Sequence, residues 1–120
     1  YIGDKIANLI GAVAGEVIVA DSTSINLFKV LYSALRINRD RKVILSKDDN
    51  FPTDLYMAQS ISNLIGDVIF RSLKREEDIL ENLTEEVSVL CLSHVDYRCG
   101  YLYDMASITQ AAHEKGILVV

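Results

Sequence analysis

Short runs rich in valine, isoleucine and leucine recur along the chain, and between them apolar residues return every three or four positions. The runs are EVIVA (16–20), KVILS (42–46), DVIFRSL (67–73), VSVLCLS (87–93) and GILVV (116–120). Their β-branched content and their apolar character on both faces predict strands of a covered parallel sheet. STSINLFKVLYSALRI (22–37) sets Ile25, Leu27, Phe28, Val30, Leu31, Ala34 and Leu35 broadly on one side of a helix. TDLYMAQSISNLIG (53–66) and DMASITQAAHEKG (104–116) repeat that spacing and end on glycine, which best tolerates the left-handed C-cap conformation. Residues 1–12 read as a further helix closed by Gly11 or Gly15, and REEDILENL (75–83) as a short acidic one. A regular αβ alternation with short loops predicts an α/β fold, with right-handed crossovers and a mainly parallel sheet in a three-layer α/β/α sandwich.

Composition narrows the function classes. With 120 residues, 50% of them hydrophobic, the chain can bury one core and is too short for two, so residues 1–120 form a single α/β domain. A net charge of -5 leaves no basic stripe for a phosphate backbone, so nucleic acid is not the expected partner. Cys91 and Cys99 have neither CxxC nor Cys/His ligand spacing, which favours a reducing compartment without a structural metal. No apolar stretch reaches the roughly 20 residues that span a bilayer, and no charged n-region with an apolar h-region opens the chain. The expectation is a cytoplasmic protein without membrane contact. The start at Tyr1 and the finish on an apolar run suggest a piece of something longer.

In such a sheet, ligands gather where strands end and helices begin. Three junctions carry candidate chemistry. In ADSTSINLF, Asp21 or Ser22 is the N-cap, and Ser22, Thr23 and Ser24 bring hydroxyls and unpaired N–H groups to a helix start that favours an anion such as phosphate. The same residues also suit an ordinary cap. In NFPTD, Pro52 fits the first helical turn, makes Thr53 and Asp54 early helix residues and holds Phe51 just outside, where its ring can lie on a conjugated ring. A hydrophobic staple from Phe51 with Asp54 answering the dipole is the plainer alternative. LSHVDYRCGYLYDM crowds His94, Asp96, Tyr97, Arg98 and Tyr103 into one loop after a strand that ends near Ser93. A lone histidine without a visible carboxylate partner is more often structural than catalytic, and His113 suits a helix C-terminus.

In order and spacing, DSTSINLF, VILSKDDNFPTDLYMAQ and LSHVDYRCGYLYDMASITQAAHEKGILVV resemble successive motifs of kynureninase, a pyridoxal-phosphate hydrolase of the aspartate-aminotransferase fold. The resemblance runs from about Leu9 to Val120 and implies the central part of an incomplete, cofactor-binding large domain. It further implies that Thr23 and Ser24 bind the phosphate of pyridoxal 5'-phosphate and that Phe51 stacks on its ring. Pro52, Thr53 and Asp54 would belong to the cofactor-binding segment, with Ser93 a further cofactor-site hydroxyl. Such enzymes cleave the Cβ–Cγ bond of L-kynurenine or its 3-hydroxy relative to alanine and an anthranilate, and usually work as homodimers.

The resemblance also requires an acid facing the ring nitrogen and an imine-forming lysine, and both would lie beyond Val120. Of the six lysines, Lys47 is nearest a strand end, but two adjacent acids keep it protonated. Cys99 stands where relatives often have threonine and Asp96 where asparagine is common. The expectation is therefore a fragment that does not turn over alone and that associates with itself through an uncovered edge. The alternative from another class is a stand-alone α/β module that binds a phosphorylated ligand or a protein without catalysis. A cysteine desulfurase or another enzyme of the same fold is disfavoured by FPTD, since those members usually place a histidine-containing segment there.

Overall fold

The computed structural model describes residues 1–75 and 78–120. Helix α1 (Ile2–Ile10) is followed by α2 (Thr23–Ile37), β1 (Val43–Lys47), α3 (Pro52–Ile65), β2 (Ile69–Leu73), α4 (Asp78–Glu81), β3 (Val87–Cys91), α5 (Met105–Glu114) and β4 (Leu118–Val119). Among the described residues four strands form one parallel sheet in the order β2-β1-β3-β4. Strands β1 and β3 are buried along their whole length, in keeping with sequences that are mostly apolar on both faces.

Alternation along the strands divides the core in two. Val43 and Leu45 of β1, with Val87 and Leu90 of β3, pack against Ile79 of α4, Leu83, and Ile108 and Ala112 of α5. Ile44 of β1 and Val89 and Cys91 of β3 pack on the other side against Leu31, Ala34 and Leu35 of α2 and Ala58 and Ile61 of α3. Three layers result, as the alternation predicted. Each fully buried leucine or isoleucine contributes about 1.5–3 kcal/mol by leaving water.

The helix ends follow local chemistry. Pro52 sits at the first position of α3, and Gly66 closes it at φ 82°. Asn38 caps α2 and ties its C-terminus to the N-terminal end of the sheet, donating to the Ser88 carbonyl at 3.1 Å and the Gly116 carbonyl at 2.9 Å. The opposite end of α2, with Thr23 and Ser24, therefore points toward the side on which the strands finish. Glu76 and Glu77 of the expected acidic helix lie outside the described residues; Asp78–Glu81 is helical.

One expected strand is absent. Residues 17–20 of EVIVA belong to no strand among the described residues, and Ile18 and Val19 are 84% and 63% exposed. The apolar pattern supplies β-propensity, but a strand needs a neighbour to complete its ladder, and neither β2 nor β4 pairs with this segment. It passes instead against α1, where a Cβ on Gly3 would stand 1.9 Å from the Val17 carbonyl oxygen, so only glycine admits the approach.

Candidate functional site

The chain leaves β1 for β2 on one side and then returns to place β3 on the other, so the strand order reverses at the C-terminal ends of β1 and β3. Helices leave in opposite directions at such a point and open a crevice. Lys47, Asp49, Asn50, Leu92, Ser93, Val95, Asp96, Tyr97 and Tyr103 line it. Two of the three predicted junctions thus meet across one gap.

Asn50 joins them. Its side-chain oxygen accepts from the Phe51 backbone N–H at 2.8 Å and from the Ser93 hydroxyl at 2.5 Å, while its amide nitrogen donates to the Ser46 hydroxyl at 3.3 Å. The residue is buried. Phe51, 46% exposed, is the N-cap residue of α3 and has the Tyr97 ring edge-on at 5.1 Å and 71°. Pro52 and Thr53 lie on the exposed first turn.

Asp54 is half-buried, and among the described residues nothing donates to its carboxylate. Burial raises its pKa. Its charge reaches Cys91 at the end of β3, whose thiol is pushed up to about 12 by burial first and by Asp54 second.

The loop after Ser93 is built around Asp96. Its carboxylate accepts from the backbone N–H groups of Arg98 at 2.7 Å and Cys99 at 3.2 Å, and these bonds, that to Arg98 foremost, lower its pKa. Val95 and Leu102 form an antiparallel bridge that closes the loop. Arg98 reaches back to Asp49 at 3.3 Å, and Asp49 is 3.4 Å from Lys47. His94 is exposed, as is His113 in the last turn of α5.

The remaining junction stands apart. Ser22 is the N-cap of α2, accepting from the Ile25 N–H at 3.4 Å, whereas Asp21 adopts φ 40° and pairs with Lys29. Among the described residues, no hydrogen bond links the Thr23 or Ser24 hydroxyl to another group, and none ties either residue to Phe51 or Ser93. Those hydroxyls and the backbone N–H groups of Thr23 and Ser24 are open donors for an anion, the Ile25 N–H being taken by Ser22. Among the described residues no cluster of three or more His, Cys, Asp or Glu could hold a metal ion, and no helix is long and apolar enough to cross a membrane.

Asn50 and Asp49 were not singled out as site residues by sequence, and Lys47 was weighed there only as an imine-forming lysine and set aside. The available signal was the asparagine itself: before a proline-started helix, its short amide can satisfy a neighbouring backbone N–H.

The sequence pattern of the aminotransferase class-V family matches residues 1–120. Kynureninase of Deinococcus radiodurans is 50% identical over 119 residues, an alignment covering 99% of this chain and 28% of that protein. Kynureninase of Pseudomonas fluorescens is 40% identical and that of Burkholderia pseudomallei (strain 1106a) 44% identical, each over 124 residues covering 99% of this chain and 30% of the relative. The chain thus spans less than a third of the length of these curated relatives. Among solved structures, the apo cysteine desulfurase of Thermococcus onnurineus NA1 superposes with a TM-score of 0.78 at 18% identity, covering 95% of this chain and 30% of that one, which is a likeness of fold. From its first residue to its last, the chain belongs to the aminotransferase class-V family.

Proposed function

We propose that this chain is the phosphate- and ring-binding part of a kynureninase-like hydrolase that cleaves the Cβ–Cγ bond of L-kynurenine or 3-hydroxykynurenine to alanine and an anthranilate. Its cofactor is pyridoxal 5'-phosphate. One observation carries this function: at the point where the strand order reverses, Asn50 draws Ser93 and the backbone of Phe51 together, beside a half-exposed aromatic ring. The identities with kynureninases support it.

The residues present fit the cofactor. Open donors at the start of α2 suit a phosphate, and Thr23 and Ser24 would hold it with their hydroxyls and backbone N–H groups. Phe51 would lie on the ring, with its own tilt set by Tyr97 and its backbone by Pro52 and Asn50. Thr53 and Asp54 would complete the segment, Asp54 holding that loop or meeting the cofactor's polar edge, and Ser93 lines the crevice. When bound, the cofactor supplies an electron sink for the charge released at the substrate's Cα. Leu92, Val95 and Tyr97 add apolar surface to the lining of the crevice.

The lysine that anchors the cofactor would come from outside these 120 residues. Lys47 is 4% exposed, donates to the Lys74 carbonyl at 2.7 Å and faces Asp49. Lys29 and Lys42 are paired with Asp21 and Asp67, and Lys115 donates to the Leu83 carbonyl. We infer that the chain alone binds without turnover, and that the whole enzyme is a cytoplasmic homodimer, as the likeness to kynureninases implies. An absorbance titration with pyridoxal 5'-phosphate, followed by borohydride reduction and intact mass, tests this. Saturable binding that Phe51→Ala weakens, without a stoichiometric lysine adduct, is expected. An adduct on Lys47, or binding indifferent to Phe51, would overturn it.

A further inference from the structure

We propose that Asn50 is a positioning residue that commits the Ser93 hydroxyl proton, so that Ser93 offers the crevice only lone pairs and the ligand group seated against it must carry a proton. Backbone chemistry fixes the orientation. An amide side chain can be turned either way in principle, but the Phe51 N–H can only donate, so the Asn50 atom 2.8 Å from it must be the oxygen. That same oxygen stands 2.5 Å from the Ser93 Oγ and has no proton to give, so the serine hydroxyl is the donor. The opposite end of the amide agrees, since the Asn50 Nδ2 donates to the Ser46 Oγ at 3.3 Å.

Both lone pairs of the amide oxygen are then filled, and the single proton of Ser93 is spent. Its own two lone pairs are left, and among the described residues no group donates to them. Ser93 lines the crevice, so those lone pairs are what a ligand meets. A phosphate or carboxylate oxygen has no proton to offer and is refused at this wall; an ammonium, amine or hydroxyl is accepted. Resting on the cofactor site proposed above, this divides its labour: the anion goes to the start of α2, and a proton-bearing substituent at the ring goes to Ser93.

The test uses the full 120-residue chain. The Ser93 hydroxyl proton is followed by NMR in wild type, Asn50→Asp, which keeps an oxygen at the same place, and Asn50→Ala, with the amide spectrum reporting that each is folded. Exchange about tenfold slower in wild type and Asn50→Asp than in Asn50→Ala is expected, the protection one intramolecular hydrogen bond supplies. In parallel, pyridoxamine 5'-phosphate, which carries an ammonium, is compared with 4-pyridoxic acid 5'-phosphate, which carries a carboxylate on the same ring carbon. Wild type should bind the ammonium probe about tenfold more tightly. Ser93→Ala and Asn50→Ala should each collapse that ratio, and the double variant should collapse it no further. A hydroxyl that exchanges equally fast in all three proteins, or a preference that survives Ser93→Ala, overturns the proposal. Protection of the hydroxyl with no binding of either probe would uphold the committed proton and overturn the cofactor site itself.

Discussion

Cys91 and Cys99 are eight residues apart and should differ in reactivity by orders of magnitude. Cys91 is buried at the end of β3, its thiol raised from 9.0 to about 12 by burial and then by the charge of Asp54, while Cys99 is exposed in the following loop. Three pKa units leave about a thousandfold less thiolate at a given pH, and the thiolate is the nucleophile. With iodoacetamide at pH 8, peptide mass mapping should find Cys99 modified first and Cys91 only through transient opening, at least about a thousandfold more slowly. Urea should bring the two rates together. Labelling of both cysteines at rates within tenfold in plain buffer would refute the packing of β3 beneath α3.

The same shift has a stability consequence. A thiol whose folded pKa lies above its unfolded value contributes fully below about pH 9 and loses that contribution as pH climbs toward 12. At most about 4 kcal/mol is at stake, three units at 1.36 kcal/mol each. The stability difference between wild type and Cys91→Ala should therefore be constant from pH 7 to 8.5 and shrink above that.

Other perturbations test other parts. Ile44→Ala opens a cavity in the fully buried face between β1 and helices α2 and α3, and should cost about 2–5 kcal/mol in urea unfolding followed by circular dichroism. Asp54→Asn should stabilise the chain at pH 7 and make no difference at pH 3, because burial raises the folded pKa and the ionised form is the disfavoured one; equal midpoints at both pH values would show that burial does not act on this carboxylate. Phe51→Ala should weaken pyridoxal 5'-phosphate about 2- to 13-fold in a fluorescence titration, the range set by ring stacking.

Periodicity made α2, α3 and α5 legible to within a residue or two, since spacing, proline and terminal glycines act within one turn of the chain. At the start of α2 it left a tie between Asp21 and Ser22 that local pattern could not break. Lys29, eight residues on, draws Asp21 away and leaves the cap to Ser22. The failure at EVIVA has the opposite origin: strand propensity is local, but the ladder partner is not. Likewise Ser93 and Phe51 were legible as residues of interest, whereas the bond that links them, from the Ser93 hydroxyl to Asn50 beside Phe51, spans 43 positions and exists only because β3 lies beside β1. Asn50 was not read as a site residue, because its bond to Ser93 depends on the same long-range pairing.

Lys47 shows how charge that looks superficial in sequence becomes internal scaffolding. Its burial at 4% exposure would be costly for a bare ammonium, and two groups offset it, the Lys74 carbonyl at 2.7 Å and the Asp49 carboxylate at 3.4 Å. Asp49 is shared with Arg98 at 3.3 Å, so the end of β1 is tied to the loop after β3. That loop is internally braced by the Asp96 carboxylate, and its next residue, Tyr97, sets its ring edge against Phe51. Each step fixes the next: a satisfied lysine holds an aspartate, the aspartate holds an arginine, and the arginine's loop positions the ring that braces the aromatic plate. A lysine spent in this way cannot also serve as a free amine for covalent chemistry. The division is physically sensible, because a ring that must lie flat on a cofactor gains more from a rigid wall than from a second reactive group beside it.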